Sequence, residues 1–168
     1  MINIVLYEPE IPGNTGNIMR TCAGTGAMLH LIEPLGFKLD EKSIKRSGVN
    51  YIDKVKYKVY KNWEDFLKSN DGEFYFLTRY GKKPYTTFDY SDTSKNIYLC
   101  FGKESTGIPK DILKNHLDRC LRIPTNANVR SLNLSNCVAI VLYEVLRQQD
   151  YPNLLRTEPF KGEDWLER

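Results

Sequence analysis

The chain has only two histidines, His30 and His116, far apart and without ligand spacing, and four cysteines that form no C-x-x-C pair. Those shortages count against a metal enzyme and against a disulfide-stapled secreted scaffold. Cys22, Cys100, Cys120 and Cys137 instead read as free thiols in a reducing compartment, three of them in apolar runs. No stretch approaches the roughly 20 apolar residues that cross a bilayer, and Met1 opens into a strand-like run without the basic start of a signal peptide. The expectation is a cytoplasmic protein without membrane contact. The glycine fingerprint G-x-G-x-x-G is absent, as is the acidic residue that follows it about 20 positions on. That counts against a nicotinamide or flavin enzyme. Charge of one sign is in little excess: 24 Lys and Arg against 21 Asp and Glu leave +3, compatible with nucleic acid but not requiring it.

What is present is an ordinary globular composition, 41% hydrophobic and 27% charged over 168 residues, enough for one domain with a real core. Ile2–Tyr7 is a short apolar run typical of a strand buried on both faces. Pro12, Gly13 and Asn14 then lead into a helix carrying Ile18, Met19 and Cys22, with Asn14 or Thr15 as its expected cap and Gly24-Thr25-Gly26 as its stop. Further strands are expected at 29–32, 74–77, 97–101 and 120–123. At 55–60 valine and tyrosine alternate with lysine, which suits a sheet edge. Trp63, Phe66 and Leu67 mark a short helix after an Asn62 cap. Strand and helix alternate, so the expected fold is α/β with a mostly parallel sheet. In such sheets ligands bind at the carboxyl ends of the strands, where Leu77-Thr78, Phe101-Gly102 and Ile123-Pro124 should converge.

Several segments carry candidate chemistry. Arg20 is either a solvent-exposed helix residue or a guanidinium poised for phosphate, which Arg grips bidentately. Residues 42–47 form a short basic helix, either a solvated face or a nucleic-acid contact. Residues 78–85 interleave Arg79, Lys82 and Lys83 with Tyr80 and Tyr85, the mixture that phosphate pairing and base stacking require. In 102–109, Gly102 and Gly107 flank Glu104, and Pro109 starts a helix. The last long segment runs from Arg122 through a loop rich in Ser and Asn into a helix that is apolar nearly all the way round. It is either a plain capped core helix or the rim of a ligand site.

Taken together, residues 12–20, residues 101–109, and residues 122–124 with 131–136 resemble the three motifs of the knotted SPOUT methyltransferases. More narrowly, the chain is similar to the subfamily of tRNA (cytidine/uridine-34)-2′-O-methyltransferases, to which the opening residues 3–12 and the closing Tyr143, Glu144, Arg147, Gln148, Tyr151 and Pro152 also fit. The resemblance covers residues 2–155. It implies a single methyltransferase domain over 1–155; the C-terminal extension over 156–168 lies beyond it, and its own Phe160 and Trp165 suggest that it packs onto the body. It further implies a deep trefoil knot, a homodimer, and S-adenosylmethionine as cofactor with S-adenosylhomocysteine as product, no metal, and a tRNA substrate.

By the same resemblance Leu77, Gly102, Ile123 and Ser131 hold the cofactor. Arg20, Glu104, Ser131 and Asn133 serve the chemistry, and Asn14 with Arg20 contacts the substrate. The guanidinium stays protonated, so Arg20 is better suited to gripping the phosphate beside the target ribose than to acting as a base. Thr106 stands where many relatives carry Arg, which removes one phosphate contact that Lys103 is placed to replace. The competing expectations are methylation of another RNA site and a non-catalytic RNA-binding protein of the same fold.

Overall fold

The computed structural model of the protein describes residues 1–40, 42 and 53–168; apart from Lys42, the expected basic helix at 42–47 lies outside the described residues. Among the described residues there are seven strands: β1 (Ile2–Tyr7), β2 (Met28–Ile32), β3 (Tyr57–Tyr60), β4 (Glu73–Leu77), β5 (Lys83–Pro84), β6 (Ile97–Phe101) and β7 (Cys120–Arg122). They form one sheet in the order β3-β2-β1-β6-β4-β7-β5, and every neighbouring pair is parallel. The α/β expectation holds, with β3 at an edge as its lysines suggest. The two-residue β5 was not expected; it is held by Tyr85 N donating to Arg122 O at 2.9 Å.

Four α-helices with bounds among the described residues cover the sheet: α1 (Pro12–Thr25), α2 (Trp63–Ser69), α3 (Lys110–Leu113) and α4 (Leu134–Gln148). The period-2 alternation of strand side chains divides the core in two. Ile4 and Leu6 of β1, with Leu99 and Phe101 of β6, pack with Ile18, Met19, Val138, Val141 and Leu142 of α1 and α4. Val5, Phe76, Tyr98 and Cys100 point the other way, toward Phe66 of α2 and Leu113 of α3. Both faces of the central strands are therefore dry, which is why they read as continuous apolar runs rather than alternating ones.

Three local expectations change. Neither Asn14 nor Thr15 caps α1: the cap position is Ile11, without a side-chain cap bond of its own, and Asn14 and Thr15 sit inside the first turn. Helix α4 is not buried all round; Val138, Val141, Leu142, Val145 and Leu146 are buried, while Tyr143 is exposed. Residues beyond 155 do not pack as their aromatics suggest, since Phe160 is 92% exposed and Trp165 and Leu166 are also open to solvent. Other expectations stand. Asn62 caps α2 by accepting from Asp65 N at 2.8 Å, and Gly26 ends α1 in the left-handed region at φ 78°.

Candidate active site

The carboxyl ends of β4, β6 and β7 open into one cavity of about 530 Å³, within the usual range of about 300–1,000 Å³ for a small-molecule site. Leu77, Phe101, Ile108, Ile123 and Leu134 contribute apolar surface, and Thr78, Ser105, Ser131 and Asn133 contribute small polar groups. Four cations, Arg79, Lys103, Arg122 and Arg130, line it against a single carboxylate, Glu104. The convergence expected of the three loops is what the parallel topology delivers.

The loop after β6 folds back on itself through a bridge between Lys103 and Gly107. A Cβ on Gly102 would lie 2.2 Å from the Gly107 carbonyl carbon, so only glycine permits this closure. From the loop, Glu104 reaches the entry to α1. Its Oε1 accepts from Glu10 N at 2.9 Å and its Oε2 from Ile11 N at 2.7 Å. Both donors lie at the entry to the helix: Ile11 is the cap residue and Glu10 precedes it. In return Glu10 Oε1 accepts from Ser105 N at 2.9 Å and Ser105 Oγ at 2.7 Å. Those two bonds are the main reason the Glu10 carboxyl is held below its ordinary pKa. Two carboxylates thus clasp two loops by exchanging backbone and hydroxyl hydrogen bonds.

The clasp continues into the third loop. Asn14 Nδ2 donates to Glu104 Oε2 at 3.2 Å, and Asn14 Oδ1 accepts from Asn133 Nδ2 at 3.1 Å. Asn133 is the N-cap of α4; its Oδ1 accepts from Ser135 N at 2.9 Å and from Ser135 Oγ at 2.6 Å. One hydrogen-bond chain, Glu104–Asn14–Asn133–Ser135, joins the three motif loops.

Of the residues singled out from the sequence, Asn14, Leu77, Gly102, Glu104, Ile123, Ser131 and Asn133 all line the cavity. Arg20 does not. It is exposed on α1, six residues and about 9 Å along the axis from Asn14. The Glu10–Ser105 half of the clasp escaped sequence reasoning, because no local pattern links a strand-end carboxylate to a serine 95 positions on. Arg122 and Arg130 also escaped it; their only signal was a positive charge flanking the last strand and loop. Among the described residues no group of three or more His, Cys, Asp or Glu could hold a metal. No helix there is long and apolar enough to cross a membrane.

A parallel α/β sheet with its site at clasped strand-end loops defines an α/β protein with a small-molecule site at the carboxyl ends of its strands. The chain belongs to the SpoU rRNA Methylase family, whose sequence profile matches residues 1–143. It is 51% identical over 154 residues to a Geobacillus stearothermophilus protein provisionally named tRNA (cytidine(34)-2′-O)-methyltransferase, the match covering 91% of this chain and 98% of that one. A solved structure described in terms of 2-OH methylation of C/U34 on tRNA superposes with a TM-score of 0.82 at 36% identity, covering 89% of this chain and 97% of that one. The AdoMet-bound rRNA methyltransferase from Sinorhizobium meliloti superposes with a TM-score of 0.75 at 27% identity, covering 87% of this chain and 56% of that one.

Proposed function

We propose that this protein transfers a methyl group from S-adenosylmethionine to the ribose 2′-hydroxyl of the wobble nucleotide, C34 or U34, of tRNA. The single observation that carries the reading is the clasp Glu104–Asn14–Asn133 across the mouth of one cavity, in a chain about half identical over nearly its whole length to a relative named for this activity. The residues present suit the cofactor. Leu77 and Ile123 offer an apolar cleft for adenine, Gly102 lets the loop after β6 close on itself to form the adjoining wall, and Ser131 supplies a small polar group beside α4. When bound, the sulfonium supplies an activated methyl group.

The chain's own residues orient the acceptor. Glu104 is a positioning residue, locking the entry to α1 and one end of the Asn14 amide. Asn14 and Asn133 fix each other and, with them, the loops that flank the incoming ribose. Arg20 grips the phosphate next to that ribose and sets the hydroxyl in line with the methyl group. The cations of the cavity wall attract the RNA backbone.

The same reading includes a trefoil knot formed by the last strand and helix, a homodimer, a cytoplasmic setting, and a domain boundary near residue 155. The boundary is supported by the exposure of the residues that follow.

The test is transfer of labelled methyl from S-adenosylmethionine to tRNA from cells lacking the gene, with the product nucleotide mapped. A 2′-O-methyl at position 34 is the expected result. A 2′-O-methyl at another position would replace the substrate, and binding of RNA without transfer would make the protein a non-catalytic RNA binder.

A further inference from the structure

The turn after β4 holds Tyr80 at the mouth of the cavity, and none of the roles above uses it. The residue is 71% exposed. The turn that carries it is nevertheless tightly built. Tyr80 N donates to Thr78 Oγ1 at 3.2 Å, and Gly81 N donates to Thr78 O at 3.1 Å. Thr78 N is tied to Leu121 O at 2.9 Å, and Arg122 Nη1 donates to Arg79 O at 2.6 Å. A Cβ on Gly81 would lie 2.5 Å from the Leu121 carbonyl carbon, so the turn is pressed directly onto β7. The Arg79 guanidinium carbon sits 5.3 Å from the Tyr80 ring centroid. Tyr85, the other tyrosine of this loop, is half-buried against the core instead. A preorganised turn therefore presents one aromatic plane, with a cation beside it, to solvent.

Size decides what that plane faces. The cavity suits one nucleoside-sized cofactor. An acceptor ribose must then meet the cofactor at the opening, and the base on that ribose lies outside, at the rim. Bases splayed from RNA loops stack on aromatic side chains. Stacking asks for a π-face and no particular hydrogen-bond pattern, so it tolerates more than one base. The neighbouring guanidinium matches the charge of the adjoining backbone.

We infer that Tyr80 is the stacking platform for the base of the nucleotide being methylated, with Arg79 bracing the ring. The inference rests on the RNA methyl-transfer reading and adds a substrate-positioning residue to it.

The experiment compares kcat/KM for two anticodon stem-loop RNAs. One is intact, and the other has an abasic target ribose that keeps its 2′-hydroxyl. Wild type, Tyr80→Ala and Tyr80→Phe are measured on both. Wild type should favour the intact RNA about ten- to a hundred-fold, the usual worth of one stacked base. Tyr80→Ala should erase most of that preference and Tyr80→Phe should keep it, with S-adenosylmethionine affinity equal in all three. An unchanged preference in Tyr80→Ala, or an equal loss on both RNAs, would overturn the platform while leaving methyl transfer intact. Failure of the wild type to methylate either RNA would remove the methyl-transfer reading and the platform with it.

Discussion

Asn133 Nδ2 donates to Asn14 Oδ1 at 3.1 Å, across 119 residues of sequence. This bond joins the first turn of α1 to the N-cap of α4, and Glu104 continues it into the loop after β6. Asn14 is buried, so its amide cannot exchange these partners for water without moving the loops.

The two asparagines should behave as a unit. Asn14→Ala and Asn133→Ala are each expected to cost about 1–2 kcal/mol in urea unfolding, with Asn133→Ala also losing its cap. The double variant should fall short of the sum by about 0.5–1 kcal/mol. Additive losses in the double-mutant cycle would show that the bond carries no coupling.

Arg20→Lys separates charge from shape. Lysine keeps the positive charge but not the planar fork. Turnover on tRNA should drop at least about ten-fold, the loss of one charge-assisted bond of about 1.5–3 kcal/mol, while S-adenosylmethionine binding by calorimetry stays unchanged. Near-normal turnover would rule out the bidentate phosphate role.

Gly102→Ala tests the closure of the loop after β6. Its Cβ would meet backbone at 2.2 Å with no flexible side chain to yield. The expected cost is about 1–3 kcal/mol of stability, together with a measurable loss of S-adenosylmethionine affinity. Retained affinity would mean that the loop can open without consequence for the cavity.

A pH dependence of stability should originate far from the site. His30 Nε2 lies 2.9 Å from Asn3 Oδ1, and His30 Nδ1 lies 2.9 Å from Tyr60 Oη. Asn3 Nδ2 donates to Ile97 O, so its carbonyl oxygen faces the histidine, which donates from Nε2 and accepts at Nδ1. Burial, aided by the nearby Lys58 charge, pushes the His30 pKa down to about 4. The unfolded chain takes up this proton near its ordinary value of about 6.5, and the folded protein resists it. This group's stabilisation is therefore complete above about pH 6.5, erodes as pH falls, and is gone below about pH 4. The expected loss is about 3 kcal/mol across that window. Urea titrations of wild type and His30→Leu should show the wild-type slope flattened in the variant; parallel slopes would exclude His30 as the origin.

Much of this was legible from local pattern. Ile2–Tyr7 and Ile97–Phe101 end where their apolar runs end, because a strand covered on both faces stays apolar except where a polar side chain finds a buried partner, as Asn3 does in His30. Asn62 and Gly26 act as their residue types predict, since capping and left-handed backbone are decided within a few residues. Seven of the eight singled-out residues line one cavity because parallel strands place their carboxyl ends, and the loops that follow, on the same side.

Tertiary structure alone decided the rest. Asn14 looked like a local cap, but the helix starts at Pro12, so Asn14 sits inside the first turn and its amide reaches across to Glu104 and Asn133 in two distant loops. Tyr80 and Tyr85 look alike in sequence, yet one is held out in solvent and the other lies against the core, because the turn at Gly81 is pressed onto β7. Local sequence determines which segments form strands and helices and which loops they feed. Which side chain satisfies which donor across those loops depends on strand order in space, and strand order is set by packing between segments that the sequence keeps far apart.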